Sequence, residues 1–122
     1  MIDLKEITKK LKALADENRI RILNLLYRKK DLCVCEIREV IGLSQPTVSS
    51  HLKLLENSNL VAYSKDGKWI NYRIDTGIDK KIRQILDIMA EVLKVDKKIK
   101  EEAVKVDWIV RKRICRKNKT TL

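Results

Sequence analysis

Apolar residues recur at steps of three and four over most of the chain, a spacing that puts them on one face of a helix. Leu4, Ile7, Leu11 and Leu14 predict a first helix over about 3–14. Asp16 is placed to cap a second, with Ile20, Leu23 and Leu26 on one side. Asp31 and Leu32 precede a short third helix that turns Ile37, Val40 and Ile41 inward. Gly42 ends it, supplying the left-handed residue that helix stops prefer. Ser44 caps a fourth helix with Pro46 in its first turn, where a missing N–H costs nothing. Val48, Leu52 and Leu55 form the buried stripe of that helix.

The period then changes. Leu60-Val61-Ala62-Tyr63 and Trp69-Ile70-Asn71-Tyr72-Arg73-Ile74 are rich in β-formers and flank Lys65-Asp66-Gly67-Lys68. Asp-Gly between two such runs signals a hairpin. From about residue 78 helical spacing returns, and Ile78, Ile82, Ile85, Met89 and Val92 form a heptad-like seam suited to packing on another helix. The next seam position is Asp96. Either the helix continues with a polar seam residue, or Asp96 caps a new helix through Ile99, Val106 and Val110 to about 114. A break near 95–96 is the preferred reading. The fold class is mainly α with a small β-hairpin wing: four helices, a two-stranded hairpin and a fifth helix, followed by an extended C-terminal helical region. Residues 1–95 are expected to form one winged helix-turn-helix unit, and 96–122 a basic helical extension and tail.

The length of 122 residues fits one modest core. The 28 Lys+Arg against 17 Asp+Glu give a net charge of +11, which points to a polyanionic partner, first of all nucleic acid. The distribution changes that picture. Residues 1–30 carry nine basic and four acidic side chains, residues 31–77 five and six, and residues 94–122 eleven and four. The middle of the chain must therefore read DNA through individually placed groups. No apolar run approaches the roughly 20 residues that span a bilayer, and the N-terminus lacks a secretory pattern. A cytoplasmic protein without membrane contact is expected.

The third and fourth helices, joined by Gly42-Leu43-Ser44, have helix-turn-helix proportions. The hairpin after them makes the unit a winged helix. Ser44 opens the fourth helix, where N–H groups can face phosphate. Gln45, Thr47, Ser49, Ser50 and Lys53 lie off its apolar stripe, and Gln, Ser and Thr can meet base edges. Lys65 and Lys68 at the hairpin tip reach for phosphate or the minor groove. An ordinary solvated face is the plain alternative for these polar residues, and the combination of turn, cap and wing weighs against it. The single histidine, His51, reads as a packed, part-buried side chain rather than a ligand.

Cys33 and Cys35 form a C-x-C at the start of the third helix, and Cys115 lies far off in a basic stretch. Three cysteines without a secretory signal do not make a disulfide framework. On a regular helix, residues two apart point about 200° apart, so the pair holds one ion only if the first turn unwinds. The helix dipole there favours thiolates, and thiolates favour soft ions. Small, part-buried hydrophobes are the alternative. Cys115, beside several cations, is either a low-pKa thiol or an incidental one.

Four segments resemble the ArsR/SmtB family of metal-responsive winged-helix repressors: LKALADENRIRILNLL (11–26), DLCVCEI (31–37), LSQPTVSSHLKLLENSNLV (43–61) and DGKWINYRI (66–74). They cover most of 11–74 in the family's order. The resemblance implies a homodimer built from the first and last helices, operator binding without inducer, and release when an ion binds. Arsenic-responsive members commonly read C-x-C-x-x-C, and here Arg38 stands at the third position. A third ligand would then be a small thiol or Cys115. Cadmium- and lead-responsive relatives add N-terminal cysteines, and residues 1–32 contain none. Zinc-responsive relatives use histidines on the last helix, where this chain has none. Arsenite or antimonite is the first choice of inducer, cadmium or lead the second, with no cofactor in the DNA-bound form.

The leading expectation is a dimeric metalloid-responsive repressor. Its interface would use Leu4, Ile7, Leu11 and Leu14 with Ile78, Ile82, Ile85, Met89 and Val92. A redox- or persulfide-sensing repressor using the same cysteines, and an architectural protein coating DNA through its basic ends, are the alternatives. No nucleophile with an adjacent base, phosphate loop or metal-hydrolase spacing points to an enzyme.

Overall fold

Side-chain caps set where the helices begin. In the computed structural model, which describes residues 2–113, Asp3 starts α1 (Leu4–Leu14) by accepting the Glu6 N–H at 2.8 Å. Asp16 does the same for α2 (Glu17–Arg28) through the Arg19 N–H at 3.0 Å. A two-residue strand, β1 (Leu32–Cys33), leads into α3 (Val34–Ile41). Gly42, at φ 81°, ends α3 in the left-handed region, which a residue with a Cβ enters only under strain. Ser44 caps α4 (Gln45–Asn57). Strands β2 (Val61–Asp66) and β3 (Trp69–Ile74) form the hairpin, with Gly67 at φ 62° in its turn. Asp79 caps α5 (Lys80–Leu93), and Asp96 caps α6 (Lys97–Lys112) through the Ile99 N–H at 3.0 Å. The helix therefore breaks where the polar seam residue predicted.

The core lies among α2, α3 and α4, where Ile22, Leu25, Ile37, Val48, Leu52 and Leu55 are fully buried. α6 joins the same core through Val106 and Ile109. Ion pairs tie it down. The guanidinium of Arg21 (α2) donates to Glu102 at 2.5 and 2.9 Å and also to the Ile41 carbonyl at 3.0 Å. Arg28 forks onto Asp107 at 2.7 and 2.9 Å. Arg113, just past α6, meets Glu36 of α3 at 2.7 Å. Among the described residues no helix is long and apolar enough to cross a membrane.

Several features differ from the sequence reading, the burial of Leu14 in the chain's own core among them. The wing is a three-stranded antiparallel sheet in the order β1-β3-β2, with Leu32 opposite Tyr72 and Cys33 opposite Asn71. A two-residue strand leaves no alternation to read, and its partner lies about forty residues on. Ile78 precedes α5 instead of starting its seam. Ile82, expected at a subunit contact, is buried in the chain's own core with Leu86, because α5 has to cover α2 before it can offer a face to anything else.

Candidate functional site

α4 shows one face outward and is anchored from behind. Ser44, Gln45, Thr47, Ser49, Ser50 and Lys53 are all exposed, as are Lys65 and Lys68 on the hairpin. The Ser44 and Thr47 hydroxyls lie 2.8 Å apart, so the cap and the first polar position share a hydrogen bond. At the other end of α4, the buried Lys10 of α1 donates from Nζ to the Ser58 carbonyl at 2.6 Å, a cation placed against the negative end of the helix. Arg19 of α2 donates from Nε to the Ala13 carbonyl at 2.7 Å, and its Nη1 lies 3.5 Å from His51 Nδ1. His51 is half-buried, with Asp16 Oδ2 at 4.0 Å. The Asp16 carboxyl is held below its ordinary value, chiefly by the hydrogen bond from the Arg19 backbone N–H. α4 is thus anchored from behind, with its polar side chains presented to solvent.

The wing is fixed at its base. Arg73 of β3 donates from Nη1 to Asp31 Oδ1 and to Ser64 Oγ, both at 3.0 Å. Lys68 sits 5.9 Å from the centroid of the Trp69 ring. The tip is Gly67-Lys68, and Lys65 lies on the strand just before it.

The cysteine pair is built into the junction of this sheet with α3. Cys33 is buried, lies on β1, and is the N-cap of α3 with extended backbone (φ −84°, ψ 164°). Cys35 follows inside the first turn and is half-buried. Arg38, at the position where a third cysteine would complete C-x-C-x-x-C, places Nη2 3.9 Å from Cys35 Sγ. Cys35 is engaged in a disulfide bond, against the sequence expectation of paired thiols, whereas Cys33 carries a buried thiol. Cys115 lies outside the described residues. Among those described, no cluster of three or more His, Cys, Asp or Glu is arranged to hold an ion.

Sequence reasoning missed Glu36. It is fully buried, and its Oε1 accepts the Cys33 N–H at 3.1 Å in a capping box. The C-x-x-E spacing was the available signal, obscured because cysteine is not a usual cap. Its cation, Arg113, could not have been found from local pattern.

Around the remaining surface, Leu4 and Leu11 of α1 and Ile88 and Val92 of α5 are exposed, with Ile7, Ile85 and Met89 half-buried. Leu14 is buried within the chain, as is Ile82.

Comparison with known proteins fits this architecture. Residues 16–63 match the description "Bacterial regulatory protein, arsR family". An arsenical resistance operon repressor of Staphylococcus aureus is 40% identical over 85 residues, 70% of this chain and 81% of that protein. One from Escherichia coli K12 is 42% identical over 76 residues, covering 62% and 65%. A cadmium resistance transcriptional regulatory protein CadC homolog from S. aureus is 35% identical, covering 67% and 65%. The chain thus spans just under two thirds of these last two relatives. The homodimeric winged helix-turn-helix DNA-binding domain Mb0332 of Mycobacterium bovis superposes with a TM-score of 0.64 at 27% identity, over 73% of this chain and 79% of that one. Identity of this order across most of the length of the relatives, on a winged helix whose helix-turn-helix is the matched segment, shows that the chain belongs to the arsR family, a family of DNA-binding regulators and not of enzymes.

Proposed function

We propose that the protein is a homodimeric transcriptional repressor that leaves its operator when a thiophilic ion binds Cys33 and Cys35. The observation that carries this is the place of the pair. It occupies the cap and first turn of α3, the helix that leads directly into α4. Once Cys35 is reduced to its thiol, an ion that draws the two sulfurs together there must re-form that turn, and the change enters the DNA-reading unit at its first helix. The relatives named for arsenical and cadmium resistance support the ion class. Arsenite or antimonite is our first assignment, cadmium or lead the second. Two thiolates suit any of these soft ions, and trivalent arsenic prefers a third. Cys115 is our candidate for it. Arg113 is held on Glu36, and two residues of chain reach at most about 7 Å.

Each protomer would lay α4 in a major groove, with half-sites about 34 Å apart. Gln45, Thr47, Ser49, Ser50 and Lys53 would meet the bases and phosphates, and Lys65 and Lys68 the flanking backbone. The exposed apolar residues of α1 and α5, Leu4, Leu11, Ile88 and Val92 with Ile7, Ile85 and Met89, are the proposed subunit contact. DNA as partner implies a cytoplasmic location. The test is fluorescence anisotropy on a duplex that the protein selects from a random pool, titrated with arsenite, antimonite, cadmium, lead and peroxide. Cys33→Ser and Cys35→Ser are expected to keep DNA binding and lose release by arsenite. If the doubly substituted protein leaves DNA at the wild-type arsenite concentration, the assignment fails. Release by peroxide alone, reversed by reductant, would make the pair a redox sensor instead. Equal affinity for selected and random DNA would favour the architectural role.

A further inference from the structure

α6 grips α3 at both ends. At the C-terminal end, Arg21 joins the Ile41 carbonyl of α3 to Glu102 of α6. At the N-terminal end, Arg113 Nη1 lies 2.8 and 2.7 Å from the two oxygens of Glu36. Glu36 is adjacent to Cys35 in sequence and accepts the Cys33 N–H. One buried carboxylate therefore joins the cap of the cysteine pair to the end of the last helix.

The joint has little slack. Glu36 has no solvent exposure, so its charge depends on the partners it now has. Arg113 is itself fixed, in the left-handed region at φ 49° with its N–H on the Ile109 carbonyl at 2.6 Å. Cys33 is held in the ladder opposite Asn71. Drawing the two sulfurs onto one ion re-forms the turn that contains Cys33, Cys35 and Glu36 together. Glu36 is shared by the Cys33 N–H bond and the Arg113 pair, so that change bears on both.

We propose that Glu36 and Arg113 are a latch through which α6 restrains the cysteine pair, and that ligation of Cys33 and Cys35 opens it and loosens the last turn of α6 from α3. The proposal rests on the pair being the ligand site. In this reading α6 sets the sensitivity of the site: the tighter the latch, the more ion is needed.

The test is hydrogen exchange by mass spectrometry on the full chain, kept reduced with a phosphine, with and without arsenite. Arsenite is expected to lower protection in the first turn of α3 and the last turn of α6. Arg113→Gln is expected to lower protection in both segments without arsenite. It should also bind arsenite about 5-fold more tightly by calorimetry, the coupling that the latch no longer exerts. Arg28→Gln removes an exposed ion pair of α6 away from the cysteines and is expected to leave arsenite affinity unchanged. The double variant Glu36→Gln/Arg113→Gln removes both charges and so leaves no lone buried carboxylate. It carries the same expected gain if the single variant does not fold. Arsenite bound through both cysteines with α6 protection intact would overturn the proposal, as would variant affinities at or below wild type. If the double serine variant takes up as much arsenite as wild type, the ligand-site reading falls instead. Exchange of Arg113→Gln without arsenite still decides whether the latch exists, and unchanged protection at the start of α3 would rule it out.

Discussion

Lys10 and Glu36 are charged side chains that their chemistry assigns to the surface and the fold buries. In LKEITKKLKAL, Lys10 lies three residues after Ile7 and four before Leu14, at the edge of the apolar face. Its reason for burial, the Ser58 carbonyl, is supplied from 48 residues away. Replacing it by Met would leave that carbonyl without its donor and remove a cation from the end of α4. Lys10→Met is therefore expected to cost about 1–3 kcal/mol in urea unfolding and to weaken DNA binding as α4 loses its rear anchor. The polar face of α4 was legible residue by residue, because every position named from the sequence is exposed. Burial within a stripe is a local property. Pairing across the molecule is not.

At the scale of elements, the helix starts were readable because a cap acts over three residues: Asp16, Ser44 and Asp96 each bond to the backbone N–H three positions on. Strand β1 was not, since two residues carry no period. The seam of α5 was half read, because the helix turns Ile82 and Leu86 inward and Ile88 and Val92 outward, and a single stripe cannot represent two faces. A cap and an ion pair also give a pH dependence. The carboxyls of Asp16 and Asp107 are held below the ordinary value of 3.8, the first chiefly by the Arg19 N–H and the second chiefly by hydrogen bonding to Arg28. A group with a lowered folded pKa contributes stability above its unfolded value and loses it as pH falls through the lowered one. Both side chains are about a third exposed, so solvent screens much of the effect. Stability is expected to decline below about pH 4. Asp16→Asn keeps a capping side chain without the titrating charge, and it should flatten that decline in urea midpoints measured from acid to neutral pH.

For the whole molecule, the charge excess separates attraction from reading. The segment with helix-turn-helix and wing carries about as many acids as bases, and the basic surplus lies toward the chain ends. Within it Lys53 of α4 and Lys65 and Lys68 of the hairpin are exposed cations. Lys65→Ala/Lys68→Ala is expected to weaken binding to selected and random duplexes alike. It should also reduce the salt slope by about 2 per protomer, read as affinity against salt concentration. Gln45→Ala should act the other way, relaxing sequence preference with the slope unchanged. The order β1-β3-β2 has a further consequence, for folding. Strand β1 rests on β3, which is synthesised about forty residues later, whereas α1 to α4 make mostly near-neighbour contacts. On a ribosome the helices can gather first, but the cysteine pair gains its backbone anchor only when the hairpin closes. Destabilising substitutions at Leu32 should therefore speed unfolding while leaving the refolding rate nearly untouched, as expected of a contact made late.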